Sequence, residues 1–505
     1  MSEENGALDR AVLAIASVVV LGTIMSILDT TIVNIAIDHL ATDFHAPLPT
    51  IQWVSTGYLL ALATVIPLTG WAADRFGTKR LYMTSLVLFL AGSALSGMAW
   101  SAHSLIAFRV LQGLGGGMIM PAGMTILTHA AGPRRIGRLM GIVGVPMLIG
   151  PIAGPVLGGW LVDDVSWRWI FYVNLPIGAL ALTLAARILP RDRPQPVHRL
   201  DWRGLVLLSP GLAALVYGLA ETASHGGIGS PRAFVPVLVG VSLMAAFARH
   251  ALRTADPLVD LRVFARRTTG AAAATMLLLA CAFFGAMLLL PLYYQVVRGQ
   301  SALHAGLLLI PQGVGAALMM PVGGRVTDRT GAARIVLPGL VLTVLGMGIF
   351  TQVGATTSYW LLGLASFLTG VGMGATMMPT MSAAYQTLAR AQIARATTAV
   401  NIIQRGGGAL GVALLSVVLA TQLTARLPGV GAGEGLAAAQ HIPPGAREAV
   451  AGAFGHTFTW ALVLLALALV PAAFLPRRKP AAAAQDAVGV PAAAEAGQVP
   501  EPVHA

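Results

Sequence analysis

Apolar and charged positions alternate along this chain on the scale of whole helices rather than single residues. Stretches free of Asp, Glu, Lys and Arg cover 11–28, 44–73, 81–108, 110–133, 139–162, 169–186, 204–220, 233–248, 268–297, 299–324, 335–389, 406–425 and 449–476. A helix that crosses the hydrocarbon core needs about 20 mostly apolar residues, so each stretch predicts a membrane span. The stretch 335–389 is long enough for two, divided near 352–359 (QVGATTSY). The pattern therefore predicts fourteen spans, numbered 1 to 14 below.

Composition sharpens that picture. Of 505 residues, 56% are hydrophobic and 10% charged, whereas soluble domains carry about 25% charged residues; a soluble enzyme does not fit. Cys281 is the one cysteine, which excludes a disulfide scaffold and a multi-cysteine metal centre. Neither lysine, Lys79 or Lys479, stands in a G-x-x-x-x-G-K-[ST] sequence, so the chain has no P-loop of an ATP-driven pump. The cluster Gly113-Leu114-Gly115-Gly116-Gly117 lies inside an apolar run with no strand before it, which argues against a dinucleotide loop. The opening MSEENGALDR has neither a basic n-region nor a cleavage site, so span 1 is expected to stay in the membrane.

A net charge of +12 points, in a chain this apolar, to basic membrane loops rather than to nucleic acid, because Lys and Arg accumulate in cytoplasmic loops. With the N-terminus in the cytoplasm and fourteen spans, twenty-five of the thirty-two Lys and Arg fall on the cytoplasmic side. Five (Arg168, Arg232, Arg298, Arg426 and Arg447) fall outside, and Arg109 and Arg405 fall within helices. The expectation is a multi-pass protein of the plasma (inner) membrane with both termini cytoplasmic.

The chain also repeats itself. Gly70-WAA-Asp74-Arg75-Phe76-Gly77-TK-Arg80 recurs as Gly324-RVT-Asp328-Arg329-Thr330-Gly331-AA-Arg334, five matching residues at a constant offset of 254. A looser echo joins Gly113, Gly115 and Gly117 to Gly370, Gly372 and Gly374 at an offset of 257. The offset predicts two six-helix bundles, 11–190 and 268–476, separated by an inserted helix pair with its linkers at 191–267. Residues 1–10 form a cytoplasmic N-terminus, 421–456 an outer loop, and 477–505 a low-complexity cytoplasmic tail expected to be disordered. Repeats around a midplane binding site are the build of secondary transporters.

These residues resemble the major facilitator superfamily, and within it the fourteen-span drug:proton antiporters of the EmrB/QacA type. The Gly70–Arg80 loop is similar to the superfamily's loop after helix 2. Leu28-Asp29-Thr30-Thr31-Ile32-Val33-Asn34-Ile35-Ala36 is similar to the first-helix motif of that branch, and Arg109-VLQ-Gly113 to the buried-arginine motif of helix 4. Gly150-Pro151-IA-Gly154-Pro155-VL-Gly158-Gly159 resembles the exporter motif of helix 5, and Trp167-Arg168-Trp169-IFYV-Asn174-L-Pro176 a segment before helix 6. The resemblance implies an all-α integral membrane protein of two six-helix bundles plus two inserted central helices. It carries no substrate identity.

Ionisable groups inside a bilayer are costly and mark function. Asp29 and Arg109 are expected at one depth, roughly 7–10 Å below the outer boundary at 1.5 Å per residue. Burial favours a neutral carboxyl and a nearby guanidinium favours the carboxylate, so rearranged helices would switch proton occupancy at Asp29. The resemblance implies the same proton-coupling role; a static ion pair between helices is the competing reading. Arg405, placed in the first turns of span 13, is read as pairing with a phosphate headgroup or snorkelling, with substrate contact as the other reading. A cavity is expected among spans 1, 2, 4, 10, 12 and 13, with Asn34, Trp53, Tyr58, Gln112 and Met377 as candidates. Met319, Met320, Met373, Met378 and Met381 share that expectation, with core packing standing beside it for every methionine. Gly150, Gly154 and Gly158 share one helix face, and Pro151 and Pro155 bend it; they are expected to form a gate between the halves. Asp74 is expected to hold the half-to-half contact, with Gly70, Arg75, Gly77 and Arg80 around it.

Together these features imply an antiporter for hydrophobic small molecules, acting without a cofactor on the proton-motive force, among membrane lipids, without nucleic acid and as a monomer. A periplasmic adaptor stays open. A dedicated exporter of one metabolite, antibiotic or lipid is the first alternative, and a transporter-fold sensor or scaffold the second.

Overall fold

The computed structural model describes residues 10–131, 139, 144, 150, 153–154, 157–162, 164–191, 199–224, 230–386, 393–426 and 446–477. Among these residues the secondary structure is helical throughout, with no strand. Among the described residues thirteen helices are long and apolar enough to cross a membrane: Arg10–Ile32, Thr50–Phe76, Thr78–Gly97 and Ala102–Ala130 (spans 1–4), then Trp169–Ile188 (span 6). Trp202–Thr222 and Pro231–Arg253 follow as spans 7 and 8. Arg267–Val296, His304–Thr330, Ala333–Phe350, Tyr359–Tyr385, Arg395–Arg426 and Arg447–Ala472 are spans 9–14. Most of the expected span 5, 139–162, lies outside the described residues, as do 1–9, most of the outer loop and the tail.

The repeat is visible in the backbone. Gly77 and Gly331, 254 residues apart, both adopt the left-handed region at φ 92° and 95°, which side chains with a Cβ rarely enter. Each ends one span and starts the next. The same pairs of spans pack in both halves: 3 on 4 as 11 on 12, 2 on 4 as 10 on 12, and 1 on 6 as 9 on 14. Spans 3 and 6 are tied where Lys79 Nζ donates to the carbonyls of Ala186 and Leu189, both at 2.8 Å. Spans 11 and 14 are tied at the equivalent place by Ala333 N–H to Pro476 O at 3.1 Å.

Spans 7 and 8 pack chiefly on each other, and span 7 also lies against spans 2 and 13. It therefore covers one seam between the halves. On the outer surface Leu318, Val206, Val470 and Trp360 are strongly exposed, a surface suited to acyl chains and not to water.

Candidate functional site

Five spans converge on one carboxylate. Asp29 Oδ2 accepts from Arg109 Nη1 at 2.7 Å, and Oδ1 accepts from Gln112 Nε2 at 2.8 Å and Asn174 Nδ2 at 3.1 Å. Arg109 Nη1 also donates to Gln112 Oε1 at 2.7 Å, and its Nε to Val54 O at 3.4 Å. The guanidinium lies 4.1 Å from the centre of the Tyr58 ring. Asn174 Nδ2 reaches Ser93 Oγ at 3.0 Å, whose own hydroxyl donates to Phe171 O at 2.9 Å. Asp29, Arg109, Gln112, Asn174, Ser93 and Tyr58 are all buried. A buried ion pair persists only when its remaining hydrogen-bonding capacity is met, and here two amides meet it.

The expected pairing of Asp29 and Arg109 is thus present. Gln112 and Tyr58, expected on a substrate cavity, belong to this network instead: one is hydrogen-bonded to the carboxylate, the other lies beneath the guanidinium. Sequence reasoning missed Asn174 and Ser93. Asn174 stood in a quoted motif, but a neutral amide carries no charge signal. The same motif has a second part just before span 6, where Trp167 Nε1 donates to Asp43 Oδ2 at 2.7 Å and Arg168 approaches the same oxygen at 3.6 Å.

Beside this network, between the halves, lies a cavity of about 240 Å³ lined by Thr23, Ser26, Ile27, Thr30 and Thr31 of span 1, Met120 of span 4, Phe283, Phe284 and Met287 of span 9, Met320, Met377, Gln404 and Arg405. Met320 and Met377 were expected there. Phe283, Phe284, Met120 and Met287 were not, because nothing in an apolar run marks which face meets a cavity. Met378 and Met381 are buried core residues, and Met373, also buried, lines a small void that shares Phe283, Phe284, Met377 and Gln404 with the cavity. Trp53 is a correction too: it is 43% exposed and stacks on Tyr217 of span 7, centroids 5.8 Å apart. The side chain of Asn34 lies outside the described residues.

Arg405 meets its expected place on the cavity, and the headgroup or snorkelling reading is the one overturned. Span 13 begins at Arg395, so Arg405 stands ten residues in, about 15 Å along the axis. The side chain lines the cavity and so does not face the headgroups.

The profile of the Major Facilitator Superfamily matches residues 19–412. The chain belongs to the major facilitator superfamily. It is 44% identical over 495 residues, 94% of this chain and 91% of the relative, to a multidrug resistance protein B homolog of Mycobacterium tuberculosis. It is 34% identical over 407 residues, 79% of this chain and 80% of the relative, to the puromycin resistance protein pur8 of Streptomyces alboniger. Among solved structures it resembles a double-tryptophan mutant of XylE (TM-score 0.60, 16% identity, 93% of this chain and 97% of that one). It also resembles the human organic anion transporter MFSD10 (TM-score 0.58, 17% identity, 90% and 99%). At such identities the structural likeness shows the fold alone.

As a member of this superfamily the chain is a carrier, and the superfamily loop is found where its halves meet. Asp74 Oδ2 faces Arg395 Nε of span 13 at 3.6 Å, and span 13 packs on residues 66–76 of span 2 and on span 4. Gly70 is buried within this helix end, Arg75 is exposed, and Gly77 makes the turn towards Arg80. The glycine stripe is placed differently from expectation. A methyl group at Gly150 would strike Ile27, at Gly154 Thr31 and at Gly158 Ile32. The stripe therefore packs on span 1 of its own half and not across the halves. Gly407 and Gly411 of span 13, 257 residues after Gly150 and Gly154, meet Leu277 and Cys281 of span 9 in the same way. Pro151 and Pro155 lie outside the described residues.

Proposed function

We propose that this carrier is a proton-coupled antiporter exporting hydrophobic small molecules across the plasma membrane, with its basic loop end and both termini in the cytoplasm. The observation that carries the reading is the place of Asp29: a buried carboxylate held by Arg109, Gln112 and Asn174, one helix layer from a cavity shared by both halves. Ser26 and Thr30, on either side of Asp29 in sequence, line that cavity, so rotation of span 1 exchanges the carboxyl between network and cavity. A proton on Asp29 removes the charge that holds Arg109. Loss of that pair frees spans 1 and 4 to move, and the bundles 11–190 and 268–476 rock about the cavity as a monomer. No cofactor is needed, because one proton moving inward is worth about 2.3 kcal/mol per 100 mV. The names of the relatives in Mycobacterium tuberculosis and Streptomyces alboniger support a drug or antibiotic as cargo. The second of these also favours a dedicated exporter of one antibiotic, which a transport screen over many compounds separates from a multidrug one.

The test is Asp29→Asn in inverted membrane vesicles. The variant is expected in the membrane at normal amounts, with accumulation driven by an imposed pH gradient abolished. Undiminished uphill transport by Asp29→Asn overturns the coupling.

A further inference from the structure

Resting on the reading of the central cavity as the cargo site, we infer that Arg405 makes it a site for lipophilic organic acids, compounds with an apolar ring body and a carboxylate or similar anion. Arg405 supplies the one formal charge among the residues lining the cavity, and no carboxylate pairs with it among the described residues. Asp29 does not serve, since its two oxygens are taken by Arg109, Gln112 and Asn174.

The other polar groups of the wall offer an anion little. The hydroxyls of Thr23, Thr30 and Thr31 donate to carbonyls of their own helix at 2.7–3.2 Å, leaving their protons committed. Gln404 supplies an amide beside the guanidinium. Ser26 adds one hydroxyl, and the remainder of the wall is four methionines, Met120, Met287, Met320 and Met377, with Phe283, Phe284 and Ile27. Methionine adapts to apolar bodies of varied shape.

The two arginines within the spans make the contrast. Arg109 is fully compensated, whereas Arg405 stands about a third of the way along span 13, on the cavity wall with no carboxylate beside it among the described residues, and a charge placed inside a span is retained for function. The guanidinium fork matches a carboxylate in two parallel hydrogen bonds. With Asp29 held in its network, a cation entering the same cavity meets like charge and no acid among the lining residues. Outward movement of an anion with inward movement of a proton also shifts two charges in the direction that a negative interior favours.

The test uses the purified full chain in detergent and two sets of probes: 1-naphthaleneacetic acid with its methyl ester and 2-(1-naphthyl)ethylamine, and the corresponding biphenyl acid, ester and amine. Equilibrium binding is read by tryptophan fluorescence. Wild type is expected to bind the acids at least about tenfold more tightly than the amines, the size of one charge-assisted pair. Arg405→Gln is expected to bring the acid-to-ester ratio to about one, and Arg405→Lys, which keeps charge but loses the fork, to fall between. Should Arg405→Gln not assemble, the Arg405→Lys ratio carries the comparison. Amines that bind as tightly as acids, or an acid-to-ester ratio unmoved by either variant, overturn the assignment. Uphill transport is read separately in vesicles. Acids that bind with this preference but are never concentrated overturn the antiport reading and leave the anion site standing.

Discussion

Arg395, at the start of span 13, stands 3.6 Å from Asp74 at the end of span 2, Nε to Oδ2. One residue belongs to each half, so the contact resists separation of the halves at the basic end of the bundle. The side chains are 24% and 20% exposed, and a pair that water reaches contributes about 0.2–1 kcal/mol. The contact is therefore a light latch. Asp74→Asn should shift the balance towards an open basic end by up to roughly fivefold, the equivalent of about 1 kcal/mol. Maleimide modification of a cysteine placed at Ala396, in a Cys281→Ser background, reads this directly because Ala396 is buried beside the latch. Exchanging the charges (Asp74→Arg with Arg395→Asp) should restore slow modification, and an unchanged rate in Asp74→Asn would show that the pair holds nothing.

The network around Asp29 predicts a ranking of stabilities. Arg109→Ala leaves a buried carboxylate without its counter-ion, a loss of about 3–5 kcal/mol. Gln112→Ala and Asn174→Ala each remove one donor from Oδ1 and should cost about 1–3 kcal/mol. Thermal unfolding of the purified variants in one detergent checks the order. A loss in Asn174→Ala equal to that in Arg109→Ala would mean that the amide does more than complete the carboxylate's hydrogen bonds.

How much of this was legible beforehand depends on where charge sits. Spans bounded by charged loops were readable, because crossing a bilayer demands apolar length, and the loop repeat announced two halves that Gly77 and Gly331 realise in the backbone. Arg405 misled the same reasoning. A rule that ends helices at charges places it at a helix end, whereas a cavity-facing arginine interrupts the apolar run in mid-helix. Asp29 and Arg109 were legible as charges in an apolar setting. Asn174 and Gln112 were not assigned to them, since an amide's role depends on a partner from another helix. The face of span 5 was readable as a close-packing stripe, but not which helix it meets: Ile27, Thr31 and Ile32 belong to span 1.

That stripe yields a sharp comparison between a glycine on it and one off it. A methyl group at Gly154 runs into Thr31, whereas one at Gly159 meets nothing within 4 Å. Gly154→Ala must push span 5 away from the segment of span 1 that carries Asp29, and overpacking of this kind costs about 1–3 kcal/mol. Transport should fall severalfold or more in Gly154→Ala and stay near wild type in Gly159→Ala, with membrane levels measured for both. Equal effects would remove the stripe from the mechanism and leave glycine content as a general property of the helix.

Phe283 occupies the repeat position of Asp29, 254 residues on, and the two halves use that position for different ends. In the first half it holds the carboxylate of the network; in the second it forms part of the cavity wall. Phe283→Trp adds bulk to a cavity of about 240 Å³ without replacing any donor to Asp29. Affinity for the naphthyl ester is therefore expected to fall about tenfold or more, with thermal stability nearly unchanged. Phe350→Trp is the counterpart, because Phe350 is fully buried and packs on Phe458 with centroids 5.4 Å apart. There the added ring has no cavity to enter, so stability should drop by about 1–3 kcal/mol, with affinity of the folded fraction retained. An unaltered affinity in Phe283→Trp would place the cargo elsewhere in the bundle, even with the Asp29 network intact.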